Sequence, residues 1–185
     1  EGSPLREGQH LDAERITDIA RLLARLHRVS PSETVAIADP IAACRGYLAR
    51  VRNHRVVQSH GAMFREILDT APDPISTCLI HGDAFPENFI HDGQRVWLID
   101  WEYAGRGDPA IDLAFVAMNF ELSPDQIRDL LDAYGGDVST PRVLSLISVA
   151  GLRDALWCLV EGEVRGLSDP LVEYAERCSR RLGID

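Results

Sequence analysis

Three side chains in the stretch LIHGDAFPENFIHDGQRVWLIDWEYAG, from Leu79 to Gly105, have types and spacing that could do chemistry: Asp83, Asn88 and Asp100. All three carry oxygen, and all three stand beside short apolar runs. A buried charge without a partner is expensive. Either these groups satisfy one another and the main chain, or they hold something positive. Oxygen donors of this kind suit Mg²⁺, which keeps several waters and binds through substrate phosphates. The chemistry such a set performs is phosphoryl transfer. One Asp orients an attacking hydroxyl and accepts its proton, while an Asn and a second Asp hold metal ions against the phosphates.

The elements around them explain how they meet. Asn88 to His91 and Arg95 to Asp100 flank Asp92-Gly93, a tight-turn pair, so a β-hairpin is predicted there. The hairpin brings the chain back to its start. The loop before it supplies Asp83 and Asn88, and the far end of its second arm supplies Asp100. Thr77 to Ile80 is short and apolar. Around this centre the pattern is helical. An amphipathic helix is predicted over Asp12 to Val29, with Ile16, Ile19, Leu22, Leu23 and Leu26 at helical spacing. Another opens at Asp39-Pro40 and runs through Tyr47, Leu48 and Val51, and a third covers Ala62 to Asp69. Ala110 to Phe120 reads as a buried helix after Asp108-Pro109. Ser123-Pro124-Asp125-Gln126 reads as a capping box, opening a helix that ends near Gly135-Gly136. Pro141 to Glu161 and Ser168 to Leu182 complete the set. The fold class is therefore mainly α with a small β-hairpin (α+β), in one domain covering residues 1–185.

Composition narrows the partners. The 185 residues carry 29 acids against 19 bases, a net charge of −10, and every base is Arg because the sequence contains no Lys. Such a surface repels phosphate backbones, which argues against nucleic acid, and it tolerates or attracts small cations. Arg45, Arg50, Arg52 and Arg55 read as a solvated helix face. The histidines His10, His27, His54, His60 and His91 read as surface or core residues. Cys44, Cys78, Cys158 and Cys178 form no C-x-x-C pair, so neither a zinc knuckle nor a redox motif is indicated. No signal peptide and no apolar run long enough to span a bilayer is evident, so a cytoplasmic protein without a membrane partner is expected.

The interval from Asp83 to Asn88 equals that between Asp and Asn in the protein-kinase loop H-R-D-x-x-x-x-N, and Asp100 follows a strand-turn-strand later, as the kinase metal-binding Asp does. With HGDAFPENF, VWLIDWEYAGRGDPAIDLA and LRDALWCLVEG, the chain resembles the aminoglycoside phosphotransferase and choline kinase superfamily, with Glu102-Tyr103 after IDW leaning toward its choline/ethanolamine kinase branch. The resemblance implies the C-terminal lobe of a protein-kinase-like fold. It implies Asp83 as catalytic base, Asn88 and Asp100 as Mg²⁺ ligands, and ATP as co-substrate. His81 would brace the catalytic loop, and Asp112 would accept main-chain N–H bonds from that loop. Glu102 and Tyr103 would belong to the acceptor pocket, with Trp157 a wall of an aromatic cage for a cationic alcohol.

Departures from the family bear on the substrate. Gly82 replaces the kinase Arg, and Trp101-Glu102 replaces Phe-Gly. One turn before Trp157, where the choline kinase helix carries a second Trp, stands Asp154, a carboxylate suited to a primary amine or another base. No glycine-rich phosphate loop and no lysine strand is present, and EGSPL resembles the end of an inter-lobe hinge. The chain is thus expected to be the C-terminal lobe alone, poorly active by itself, with the N-terminal lobe or a second copy covering its hinge face. Competing readings are an aminoglycoside or other small-molecule hydroxyl kinase, a non-catalytic binding or assembly module, and a metal-dependent phosphate hydrolase.

Overall fold

The structure is a computed structural model that describes residues 2–6, 8–75, 77–166 and 168–184. It is mainly helical with two small antiparallel sheets, and the chain divides into two compact units. The first comprises residues 1–38 and 74–147, the second residues 39–73 and 148–185.

In the first unit, β1 (Ser3–Pro4), β3 (Phe89–His91) and β4 (Val96–Leu98) form one sheet in the order β1-β3-β4, and β2 (Cys78–Ile80) pairs with β5 (Gly105–Gly107) in another. The predicted hairpin is β3–β4, with Phe89 opposite Leu98 and His91 opposite Val96. Its turn is built by Asp92. That carboxylate accepts the N–H groups of Gln94 and Arg95, both at 2.9 Å, and the indole N–H of Trp97 at 2.7 Å. These donors hold the Asp92 carboxyl well below its usual range, the Trp97 bond having the largest effect. The other strands escaped the sequence reading because they are two or three residues long, too short for a period to register. Glu1 of the EGSPL stretch lies outside the described residues, while Ser3–Pro4 pair with β3. Gly105-Arg106-Gly107 forms β5. Its glycines are needed because a Cβ on Gly105 would come within 2.8 Å of Ala36 O and Ala38 Cβ, where the segment around Ile37 bridges to Arg106.

Helix α1 (Ala13–Leu26) is capped by Asp12, which accepts from Arg15 N, and it buries Ile16, Ile19, Ala20 and Leu23 against α4 (Pro109–Asn119) and α5 (Pro124–Tyr134). Helix α4 starts with Asp108 as cap and Pro109 in its first turn, and every residue from Ala110 to Asn119 is buried. The capping box of α5 is present as read, with Ser123 and Gln126 satisfying each other's main-chain N–H.

The second unit holds α2 (Pro40–Arg50), α3 (Arg55–Asp69), α7 (Asp169–Leu182) and, from Ser148 onward, α6 (Thr140–Arg165). Helix α3 begins seven residues before the expected Ala62, at Arg55, with His54 as cap accepting from Val56 N. Gly61 in its interior masks the pattern, since glycine is a weak helix former. Helix α6 corrects a second expectation: by length and composition it is apolar enough to cross a membrane, although the sequence showed no obvious run of that length. More than half of that stretch is buried within this chain, and it carries the Arg153–Asp154 ion pair near its middle.

Candidate active site

The loop between β2 and β3 carries His81, Asp83 and Asn88, and main-chain bonds shape it. Phe85 N donates to Asp83 O at 2.7 Å, and Asn88 N to Phe85 O at 3.0 Å, leading into a short 3-10 turn at Pro86–Asn88. Gly82 adopts φ +75°, and a Cβ there would sit 2.5 Å from Tyr103 O. Only glycine fits both the left-handed backbone and that close approach.

Asp83 and Asn88 meet directly. Asn88 Nδ2 lies 2.9 Å from Asp83 O and 3.4 Å from Asp83 Oδ2. A carbonyl oxygen only accepts, so the amide must present its NH₂ there and turn Oδ1 the other way. Asn88 is buried and Asp83 half-buried. Ile99 N donates to Asn88 O at 3.0 Å, so the ribbon holds the residue before Asp100 against Asn88. Asp100 is exposed and holds φ +64°, a left-handed conformation that Asp and Asn tolerate better than other side chains.

Two further residues brace this arrangement. His81 Nε2 donates to Ile99 O at 2.9 Å, tying the loop to the residue just before Asp100, while its ring meets Trp101 edge-on at 4.9 Å. Its buried Nδ1 has no hydrogen-bond partner among the described residues. Asp112, in the first turn of α4 and fully buried, accepts His81 N at 2.8 Å and Gly82 N at 2.9 Å, one on each oxygen.

The donor set fits a hard divalent cation. Asn88 Oδ1 and the Asp100 carboxylate are oxygen donors of the kind that could hold such an ion, and few protein ligands are what Mg²⁺ uses when waters and phosphates complete its shell. Among the described residues no three His, Cys, Asp or Glu side chains gather into an all-protein metal cage.

Of the residues assigned to an acceptor pocket, Glu102 and Tyr103 lie in the exposed turn after Asp100. Asp154 and Trp157 lie on α6 in the second unit. Asp154 is buried and faces Arg153 with Nε and Nη2 each at 3.2 Å. Trp157 is half-buried and meets Tyr174 of α7 edge-on, with ring centroids 6.4 Å apart, and Arg177 stacks over Tyr174 at 5.3 Å. Burial, then the charge of Asp154, pushes the Tyr174 phenol well above its ordinary range.

Sequence reasoning missed Tyr174 and, in the first unit, His27 and Tyr134. His27 follows Leu23 by four residues, and Tyr134 follows Leu130 by four, so helical spacing placed both on buried faces. That spacing was the available signal.

A loop of this shape, an Asp–Asn pair and a second Asp delivered by a hairpin define a class: the chain belongs to the phosphotransferase enzyme family, whose profile matches residues 1–161. Among sequence relatives, the thiamine kinase of Escherichia coli O17:K52:H18 (strain UMN026) is 32% identical over 97 residues, 52% of this chain and 30% of that protein. Among solved structures, the choline kinase LicA from Streptococcus pneumoniae superposes with a TM-score of 0.67 at 23% identity, covering 99% of this chain and 67% of that one. A macrolide 2′-phosphotransferase type I gives 0.72 at 25% identity, covering 98% of this chain and 66% of that one. The chain thus matches less than a third of the thiamine kinase's length and about two thirds of these solved chains.

Proposed function

We propose that this chain is the catalytic and acceptor-binding lobe of an ATP-dependent kinase acting on the hydroxyl of a small cationic compound. The observation that carries this reading is the Asn88 amide, whose NH₂ lies 2.9 Å from Asp83 O and 3.4 Å from the Asp83 carboxylate, so that its oxygen is turned away from Asp83 and could serve with Asp100 as a cation ligand. In the reaction, the acceptor oxygen forms a bond to the γ-phosphorus of ATP, the bond from that phosphorus to the bridging oxygen breaks, and ADP leaves. Asp83 orients the acceptor hydroxyl and takes its proton. Asn88 and Asp100 would hold Mg²⁺, which neutralises charge developing on the phosphates. Asp112 and His81 keep the loop in the geometry this requires.

The acceptor is read as cationic for two reasons. The chain carries a net charge of −10. The names of similar proteins point to choline, ethanolamine and thiamine, each of which joins a hydroxyl to a positively charged nitrogen. In the second unit the half-buried Trp157 carries an aromatic face of the kind that attracts such nitrogens, whereas the Tyr174 ring already has Arg177 over it. The Asp154 charge is offset by Arg153, so the exposed Glu102 is the better carboxylate for a ligand cation. A second reading, an antibiotic hydroxyl as acceptor, is favoured by the macrolide phosphotransferase likeness. All four cysteines are buried and free, which fits the cytoplasm as the place of work.

The test is phosphate transfer from γ-labelled ATP with Mg²⁺, using the full-length natural protein and choline, ethanolamine, thiamine, a macrolide and an aminoglycoside as acceptors. Labelled product with a cationic alcohol is expected. ATP cleavage that proceeds equally without any acceptor would reject the reading. The piece from residue 1 to 185 alone is expected to transfer poorly, because no glycine-rich phosphate loop or lysine lies within it.

A further inference from the structure

Three side chains from three helices meet behind the catalytic loop. His27, the residue that closes α1, is enclosed, its side chain only 3% exposed. Its Nε2 lies 3.0 Å from Asp112 Oδ2 and its Nδ1 3.0 Å from the hydroxyl of Tyr134, the last residue of α5. The same Asp112 Oδ2 receives the N–H of His81, and Oδ1 receives that of Gly82. An ionised carboxylate only accepts, so the His27 proton sits on Nε2. Tyr134 is buried, and His27 is the hydrogen-bond partner recorded for its hydroxyl among the described residues. Burial, with the nearby Cys78, pushes the Tyr134 phenol up to about 12, so the hydroxyl keeps its proton and donates a hydrogen bond to Nδ1. Proton by proton, the order is Tyr134 O–H to His27 Nδ1, then His27 Nε2–H to Asp112, then the loop N–H groups to the same carboxylate.

We propose that His27 and Tyr134 are positioning residues for the phosphoryl-transfer loop: the Tyr134 hydroxyl fixes His27 as its Nε2–H tautomer, and that N–H locks the Asp112 carboxylate in the rotamer that receives His81 and Gly82. The Asp112 side chain would otherwise turn about its last torsion, which is broad for a carboxylate. The third donor removes that freedom, and with it the freedom of the loop that presents Asp83. The consequence for turnover rests on the kinase reading above, whereas the consequence for loop order does not.

The experiment uses the full-length protein and three variants: His27→Ala, His27→Gln and Tyr134→Phe. Glutamine can donate to Asp112 and accept from Tyr134 through one side chain, so it is the conservative rescue. The first readout is hydrogen–deuterium exchange at the His81 and Gly82 amides. His27→Ala should speed both by about tenfold or more, His27→Gln should stay within about threefold of wild type, and Tyr134→Phe should fall between. The second readout is the imidazole ¹⁵N spectrum of His27, which should show the Nε2–H tautomer in wild type and a mixture in Tyr134→Phe. The third is a kcat loss in the same order with KM for ATP unchanged. Unchanged exchange at both amides in His27→Ala and Tyr134→Phe, even with a lowered melting temperature, would reduce the cluster to core packing and overturn the proposal. A protein whose amides respond as described but which phosphorylates none of the tested acceptors keeps the brace and loses the kinase assignment.

Discussion

Asn88 gives its amide nitrogen to the main-chain oxygen of Asp83 at 2.9 Å, and that bond decides which way the Asn88 oxygen faces. In the proposed reaction, one contact therefore couples the group that would take a proton to the group that would hold a metal. Asn88→Asp should be worse than a conservative change suggests. It replaces the donor by a carboxylate beside Asp83 O and Oδ2, and like charges at that range repel. In the full-length enzyme kcat should fall at least about a hundredfold, with raised Mg²⁺ not restoring it. Steady-state kinetics across a magnesium titration checks this.

Asp83→Asn keeps the size and polarity of the side chain and removes its capacity to take a proton. A loss of about 10²- to 10⁴-fold in kcat is expected, with an unchanged melting temperature. A variant retaining wild-type kcat would sink the assignment of Asp83 as the base.

Asp100 separates charge from backbone. Asp100→Asn preserves a residue that tolerates φ +64°, so the urea midpoint should hold while the Mg²⁺ concentration for half-activity rises by about tenfold or more. Asp100→Val loses both, because a β-branched residue is strained in that region by about 1–3 kcal/mol. Comparing the two variants by denaturation and by metal dependence tells the roles apart.

Gly82→Ala meets two obstacles at once, φ +75° and a clash with Tyr103 O. Destabilisation of about 1–3 kcal/mol is expected, together with loss of turnover, since the loop must shift to relieve the contact. Urea unfolding followed by circular dichroism measures the first part.

Stability should decline in alkali. Burial pushes the Cys44 thiol up to about 12 and the Cys78 thiol up to about 11, from an ordinary 9.0. Below pH 9 both are protonated whether folded or not, and their contribution to stability is fully present. Above it the unfolded chain releases protons that the folded chain retains, so stability falls as pH rises toward 11 to 12. Melting temperatures from pH 7 to 11 should drop beyond 9, and Cys44→Ala should make that drop shallower. A flat profile would contradict the burial of these thiols.

Much of this protein was legible in one dimension because its signals are local. Asp12, Asp39, Asp108 and Ser123 each cap the helix that follows, and a cap needs only the next three residues to be recognised. Asp92-Gly93 marked the hairpin for the same reason, and the spacing of Asp83, Asn88 and Asp100 pointed to a phosphotransferase before any coordinate was known. Tertiary structure decided the rest. The pairing of β2 with β5 joins residues 78–80 to 105–107, and the brace behind the loop joins His27, Asp112 and Tyr134. Helical spacing places His27 and Tyr134 on buried faces but does not say that they meet, because a hydrogen bond between distant segments depends on how helices pack. The identity of the candidate reacting groups is thus written along the chain, whereas their orientation comes from residues that meet only when it folds.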